Sequence, residues 1–241
     1  MTRPIQNCFE RYEKKYLLTN AAAEELREAM LSRLRPDEYG NYSLCNIYYD
    51  TDDWRLVRAS IERPVYKEKL RVRSYGVPKD DSNVFVEIKK KYKGIVYKRR
   101  VTMKPDETAP FLSFGSRPEL GQIGREIEYF QTLYHSVPKV FIGYDRTAFA
   151  GVEDPELRIT FDTNIRFRTT ELELRAGDHG RQLEIPGGVL MEIKVPGVYP
   201  LWLTRLLSER SIFPVSFSKY GSCYMNHLIK EKEEKEAHFC A

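Results

Sequence analysis

The sequence predicts an α+β domain dominated by antiparallel β-structure, a barrel or a sandwich, and three observations carry that expectation. Apolar and polar residues alternate with a period of two in eight separate runs of the 241-residue chain, the pattern of strands that bury one face. Many strands at even spacing point to a barrel or a sandwich. Helical periodicity is confined to four stretches. The size suits one domain with an ample core. A composition of 41% hydrophobic and 31% charged residues excludes disordered, collagen-like and disulfide-scaffold chains. With no internal repeat or linker, residues 1–241 are expected to form a single domain ending in a charged tail, 231–241.

The elements follow in order. Phe9 to Leu18 alternates and reads as the first strand. Ala21 to Arg35 then puts Leu26, Ala29, Met30, Arg33 and Leu34 at helical spacing and stops before Pro36. Strands are expected at Ser43 to Asp50, Tyr66 to Tyr75, Val84 to Lys91 and Ile95 to Met103. A helix over Glu119 to Tyr134 places Ile123, Ile127, Phe130 and Tyr134 on one face and ends near Pro138. Strands at Val140 to Phe149 and Leu157 to Phe167 follow, and Gly188 to Val195 comes after a Gly/Pro loop. Tyr199 to Leu207 is helical by the spacing of Trp202, Leu203, Leu206 and Leu207, and a last helix covers Tyr220 to Lys230. Glu231 to Glu236 reads as a charge run expected to be solvated and frayed. Cys8, Cys45, Cys223 and Cys240 form no C-x-x-C pair, so a reducing, cytoplasmic setting is expected. No apolar run exceeds three residues, against roughly 20 for a spanning helix and roughly 7 for a signal-peptide core.

Charge is unevenly distributed. The chain carries 39 Lys+Arg against 35 Asp+Glu, a net +4, yet Arg63 to Lys104 alone carries 14 against 4, leaving −6 for the rest. Successive strand side chains face opposite sides, so parity decides which residues share a face. Lys67, Lys69, Arg71, Arg73 and Tyr75 share one face, opposite Leu70 and Val72. Glu87, Lys89 and Lys91 lie opposite Val84, Val86 and Ile88, with Lys90 outward and solvated. Val96, Lys98, Arg100 and Thr102 group together, as do Arg11, Glu13 and Lys15. Later strands align Tyr144 with Arg146, Arg158 with Thr160 and Asp162, and Glu192 with Lys194.

A single charged face is ordinarily solvated. Seven or eight together imply a closed sheet, apolar side outward under the few helices and charged side inward. Like charges about 6 Å apart at an effective dielectric of about 20 repel by roughly 2.8 kcal/mol. Such a crowd needs anions, water and interspersed carboxylates. The implied ligand is a multiply charged anion, with Arg forks and mobile Lys charges suited to successive phosphates. Glu13, Glu87 and Glu192 are what a divalent metal bridging protein and phosphate requires.

Seven segments in order carry a family resemblance: Arg11-Tyr-Glu-Lys-Lys-Tyr16, Lys69-Leu-Arg-Val-Arg-Ser-Tyr75, Glu87-Ile-Lys89, Lys98-Arg-Arg100, Tyr144-Asp-Arg-Thr-Ala-Phe149, Leu190-Met-Glu-Ile-Lys194 and Ser216-Phe-Ser-Lys-Tyr220. Together they resemble the VTC polyphosphate polymerase domain of the triphosphate tunnel metalloenzyme (CYTH) superfamily, from about Phe9 to Tyr220. The resemblance implies an eight-stranded antiparallel β-barrel tunnel with flanking helices. It implies a metal-dependent transferase that moves the γ-phosphoryl group of ATP onto a growing polyphosphate chain, with triphosphate as the recognised unit and Mn²⁺ or Mg²⁺ as cofactor. Carried onto this sequence, the phosphate ligands are Lys15, Arg71, Arg73, Lys89, Lys98, Arg146, Arg158 and Lys219, with Ser218 beside the last. Lys69, Lys91, Arg100 and Lys194 on the same faces extend the substrate-binding set. Arg71, Arg73, Lys89, Arg146, Glu192 and Lys219 are the expected catalytic group; Glu192 is the metal carboxylate, with Glu87 as a second.

The first strand departs from the superfamily's usual E-x-E-x-K: it reads Arg11-x-Glu13-x-Lys15. That favours the VTC branch over a two-metal hydrolase. The inositol-phosphate-sensing domain and membrane segments of eukaryotic relatives are not in this sequence, so a stand-alone, bacterial domain is the expectation, with a membrane partner left open. Two rivals stand beside the polymerase: a triphosphatase of the same fold, with water as acceptor, and a noncatalytic polyanion or RNA binder. Lys91-Tyr-Lys-Gly-Ile-Val-Tyr-Lys98 interleaves bases and aromatics, but Glu87 and Glu192 at matched parity would repel a nucleic-acid backbone, so no nucleic acid is expected. His135, His179, His227 and His238 lack zinc-site spacing, and neither a P-loop nor a G-x-S-x-G elbow is present.

Overall fold

The computed structural model describes residues 12–230 except 63, 94 and 116, with side chains at all of these but 38 and 39. The expected strand start at Phe9 to Arg11, Cys8, Cys240, His238 and the tail 231–241 lie outside the described residues. The strands are β1 (Tyr12–Thr19), β2 (Leu34–Asp50), β3 (Tyr66–Tyr75), β4 (Val84–Tyr92), β5 (Ile95–Met103), β6 (Val137–Gly151), β7 (Arg158–Arg168), β8 (Arg181–Gln182) and β9 (Gly188–Val195). The helices are α1 (Asn20–Met30), α2 (Arg55–Ile61), α3 (Pro105–Phe114), α4 (Gly121–Tyr134), α5 (Leu201–Glu209) and α6 (Lys219–Cys223), the last continued by a π-helical turn, Tyr224–Leu228.

Eight strands form one antiparallel path, β1-β9-β7-β6-β2-β3-β4-β5, and the short β8 pairs with β7. The sheet curls into a half-barrel: Glu13 on the edge strand β1 reaches to 4.0 Å from Lys89 on β4, near the opposite end of the path. Parity sorts the two faces as the sequence requires. Leu70, Val72, Val84, Val86, Ile88, Val101 and Met103 face outward and are covered by Phe111, Leu112, Ile127 and Phe130 of α3 and α4. Tyr16, Leu18, Ile159, Phe161, Met191 and Ile193 meet Leu26 and Met30 of α1 and Leu203 and Leu207 of α5. Each such aliphatic or Phe side chain contributes about 1.5–3 kcal/mol by leaving water, and the charged faces are thereby committed to the concave side.

Some local expectations are corrected. α1 stops at Met30 instead of running to Arg35, because β2 begins at Leu34. Leu34 is a strand residue that packs into the same cluster as Leu26 and Met30, so its helical spacing is coincidental. α2 is held by Asp50, whose carboxylate accepts from the Leu56 and Val57 backbone N–H groups at 2.8 and 3.0 Å. Lys90 does face outward, but it is paired: Glu126 on α4 lies 3.5 Å from it and 2.8 Å from Arg99. Tyr75, expected to face the lumen, is 51% exposed at the rim, packed on Tyr42 and Phe85.

β7 changes face midway. The β6–β7 register shifts between Gly143 and Asp145, where Asn164 takes a left-handed conformation at φ 47°, as a bulge requires. Before it, Thr160 and Asp162 share the concave side with Arg146. After it, Ile165 and Phe167 pack against Tyr220, Tyr224 and Leu228, while Arg166 and Arg168 turn away to bind the 171–179 loop at Asp178, Glu171, His179 and Glu173. One part of the concavity is therefore filled by the C-terminal helical segment, and the remainder is polar. Among the described residues no helix is long and apolar enough to cross a membrane.

Candidate active site

Buried carboxylates organise the polar half of the concavity. Glu87, 1% exposed, accepts from Arg71 Nε at 2.8 Å and lies 2.7 Å from Arg71 Nη2, 2.6 Å from Lys98 Nζ and 3.8 Å from Arg73 Nε. Asn46 Oδ1 and Tyr144 Oη take the Arg73 guanidinium at 2.8 and 3.2 Å, and Tyr48 Oη accepts from Arg71 at 3.1 Å. Burial pushes the Glu87 carboxyl up, but Arg73, Arg71 and Lys98 together hold it well below the usual range.

Asp162, with no exposed surface, is the second centre. Arg146 engages it through both arms of its fork, Nε to Oδ1 at 2.6 Å and Nη2 to Oδ2 at 2.8 Å, and Lys219 Nζ donates to Oδ2 at 2.5 Å. Burial raises its pKa, and Lys219 and Arg146 more than reverse that. Ser218 N-caps α6 by accepting from the Gly221 N–H at 3.2 Å, which fixes where Lys219 enters the site.

Glu192 and Glu13 form a looser centre where β9 meets β1. Around Glu192 stand Lys194 at 3.3 Å, Lys15 at 3.5 Å, Arg146 at 3.9 Å and Lys219 at 4.0 Å. Around Glu13 stand Lys15 at 3.7 Å, Lys194 at 3.9 Å and Lys89 at 4.0 Å. Both carboxyls are held below their ordinary value: burial raises each, and the surrounding lysines, Lys194 foremost, more than reverse that. The Thr160 hydroxyl, opposite Glu192 in the β7–β9 register, is buried with no hydrogen-bond partner.

That contrast sets Glu192 and Glu13 apart from Glu87 and Asp162. Asp162 has both oxygens hydrogen-bonded and Glu87 has Oε2 bonded to Arg71, with Lys98 2.6 Å from an Oε1 that lacks a well-formed hydrogen bond, whereas the cations of Glu192 and Glu13 stand off beyond hydrogen-bond distance in most pairs. Among the described residues no three His, Cys, Asp or Glu side chains converge as a complete protein cage. One or two carboxylates, completed by substrate phosphates, is a donor set that suits Mg²⁺ or Mn²⁺. Glu87, the second expected metal ligand, lies within the arginine-holding centre.

The structure gathers Lys15, Lys69, Arg71, Arg73, Lys89, Lys98, Arg146, Lys194, Ser218 and Lys219 around this concavity. Lys69 Nζ donates to Ser218 Oγ at 3.1 Å and lies 5.7 Å over the Tyr220 ring; Lys15 Nζ donates to the Phe217 carbonyl at 3.0 Å. Three expected ligands sit apart from the centre. Arg158 pairs with Asp37 at 3.5 Å, Arg100 lies over the Phe85 ring at 4.6 Å, and Lys91 is exposed at the far end of β4. Asp162, Asn46, Tyr48 and Thr160 were not among the expected ligands, although Thr160 and Asp162 were placed on the right face by parity.

Crowding leaves two lysines poised near neutrality. Burial, followed by Lys89, Lys15, Lys67 and Arg71, lowers the Lys69 pKa to about 7. Burial lowers Lys98 to about 7 as well, against the attraction of Glu87. A bound polyanion favours their charged forms, so the complex holds more protons than the free protein. Triphosphate binding is therefore expected to take up protons near pH 7–8 and to weaken as pH rises through that window. Calorimetry in buffers of different ionisation enthalpy measures the uptake, and Lys69→Arg should reduce it.

Comparisons with known proteins bear on the family and the fold. The model of the VTC domain family matches residues 10–227. Subunit 4 of the vacuolar transporter chaperone complex of Schizosaccharomyces pombe is 26% identical over 167 residues, which is 59% of this chain and 23% of that protein. The chain thus spans less than a quarter of that curated relative. Two solved structures share the fold. A protein from Bacillus halodurans assigned as an adenylate cyclase superposes with a TM-score of 0.53 at 14% identity, covering 88% of this chain and 96% of its own. HpAC1 from Hippeastrum, assigned as an adenylyl cyclase and described as having a dominant triphosphatase activity, does so with a TM-score of 0.51 at 18% identity, covering 90% and 96%. With the family model spanning nearly all of the described residues and the charged strand faces turned into one concavity, the chain belongs to the VTC domain family.

Proposed function

We propose that this protein is a polyphosphate polymerase that transfers the γ-phosphoryl group of ATP to the end of a polyphosphate chain, releasing ADP. The observation that carries the reading is the placement of Arg71, Arg73, Lys98, Arg146 and Lys219, oriented by buried carboxylates, around a single concavity. The chemistry needs no protein nucleophile, since a terminal oxygen of the acceptor chain attacks the γ-phosphorus while the β–γ bridging oxygen leaves with ADP. What the protein supplies is position and positive charge. The arginine forks hold phosphate oxygens in fixed directions, and Lys69, Lys89 and Lys15 follow the phosphates as point charges. Glu192, assisted by Glu13, would hold the divalent ion, which supplies charge neutralisation at the phosphate oxygens when bound.

The setting is read as cytoplasmic, with ATP, triphosphate and polyphosphate as ligands. The test is a coupled assay with ATP, Mn²⁺ or Mg²⁺ and a short polyphosphate primer, following ADP, free phosphate and chain length together. ADP in step with chain growth supports the polymerase. The triphosphatase activity ascribed to HpAC1 makes transfer to water the second reading, and free phosphate without growth would favour it.

A further inference from the structure

We infer that Asp162 is a positioning residue that keeps Arg146 and Lys219 away from Glu192, so that Glu192 stays available to a divalent cation; the inference rests on the assignment of Glu192 proposed above. The two carboxylates share the same two cations. Arg146 Nη2 is 2.8 Å from Asp162 Oδ2 and 3.9 Å from Glu192 Oε2. Lys219 Nζ is 2.5 Å from Asp162 Oδ2 and 4.0 Å from Glu192 Oε1. In both cases the shorter contact is a direct charge-assisted hydrogen bond, and the longer one leaves the Glu192 oxygen without a bonded donor from that cation. Arg146 adds its Nε bond to Oδ1 at 2.6 Å, so its planar fork is fully committed to Asp162.

The arrangement follows from the sheet. Asp162 pairs in register with Arg146 on β6 and with Leu190 on β9, and Thr160 pairs with Glu192. The two carboxylates therefore sit one strand and one pleat apart on the same face, with the guanidinium and ammonium above both. Asp162 is wholly buried beneath these groups, out of reach of a polymeric substrate. Without its charge, Arg146 and Lys219 would have Glu192 as the nearest remaining anion, and a cation settled on Glu192 competes with a metal for the same oxygens. The unpartnered Thr160 hydroxyl beside Glu192 is a further polar atom on the side where an ion or phosphate would bind.

The experiment compares the affinity of the ATP analogue with an imido bridge between its β- and γ-phosphorus atoms, in Mn²⁺ and in EDTA. In the wild type Mn²⁺ should tighten binding. Asp162→Asn should lose about 10–100-fold of that Mn²⁺ effect, while binding in EDTA is not weakened, because one negative charge fewer faces the triphosphate. Asp162→Glu should restore most of the effect. A merely structural role would lower affinity equally in Mn²⁺ and EDTA, and that result would overturn the inference, as would a full Mn²⁺ effect in Asp162→Asn. If the Asn variant does not fold, Asp162→Asn combined with Lys219→Met restores the local charge balance, and the Mn²⁺ effect must still fall. Glu192→Gln separates the two claims. Retention of the Mn²⁺ effect there, or its absence from the wild type, would overturn the metal assignment and the inference with it. Loss in Glu192→Gln with retention in Asp162→Asn would overturn the inference alone.

Discussion

Glu192→Gln is expected to abolish metal-dependent turnover. The side chain keeps its shape and its place between Lys15 and Lys194 but loses the charge that draws a divalent ion into a concavity crowded with cations. Loss of a single electrostatic stabiliser of the transition state costs about 10²–10³-fold in turnover. Here the metal is lost along with the charge, so the drop should be at the upper end. Nucleotide binding in EDTA should survive, since Lys15, Arg146, Lys194 and Lys219 lose a competing anion. Steady-state rates across an Mn²⁺ titration measure this, and unchanged metal dependence would refute the assigned role.

Glu87→Gln is expected to have the largest effect on stability. The carboxylate is 1% exposed and is the shared anion of Arg71, Arg73 and Lys98. Breaking a buried ion cluster from one side costs about 3–5 kcal/mol, because the stranded charges stay buried. Partial exposure of Lys98, 39%, places the loss toward the lower end of that range. A polyanion replaces the missing charge, and a ligand that binds the folded state stabilises it by mass action. Saturating tripolyphosphate should therefore raise the melting temperature of the variant more than that of the wild type. Equal shifts would show that these cations do not face the ligand.

Much of this site was legible because strand parity is rigid. Tyr66–Tyr75, Ile95–Met103 and Gly188–Val195 are strands with the expected bounds, and the face assigned to Lys69, Arg71 and Arg73 is the one that meets Glu87, Ser218 and Tyr144. Parity could not say which carboxylate does what. Glu87, Asp162 and Glu192 look alike in sequence, and only distance separates the first two, bonded directly to arginine forks, from the third, ringed at 3.3–4.0 Å. The Asn164 bulge was not read either: the polar run Asp162-Thr163-Asn164 interrupts the alternation of Leu157 to Phe167, but parity carried straight through it misses that the backbone inverts its faces there. α2 was missed because seven residues carry too little periodicity, its N-cap position is Trp54 with no side-chain cap, and Asp50, which accepts from the Leu56 N–H, lies six positions upstream of it. α3 was obscured by Pro105 at its first turn and Pro110 within it.

The most direct measurement follows the fate of the γ-phosphorus of ATP. With labelled ATP, a divalent ion and a short polyphosphate primer, the proposed function requires the label to appear in lengthened chains in proportion to ADP, in the wild type and not in Glu192→Gln. Label recovered as free phosphate, with primer length unchanged, would contradict it and assign the same concavity to hydrolysis.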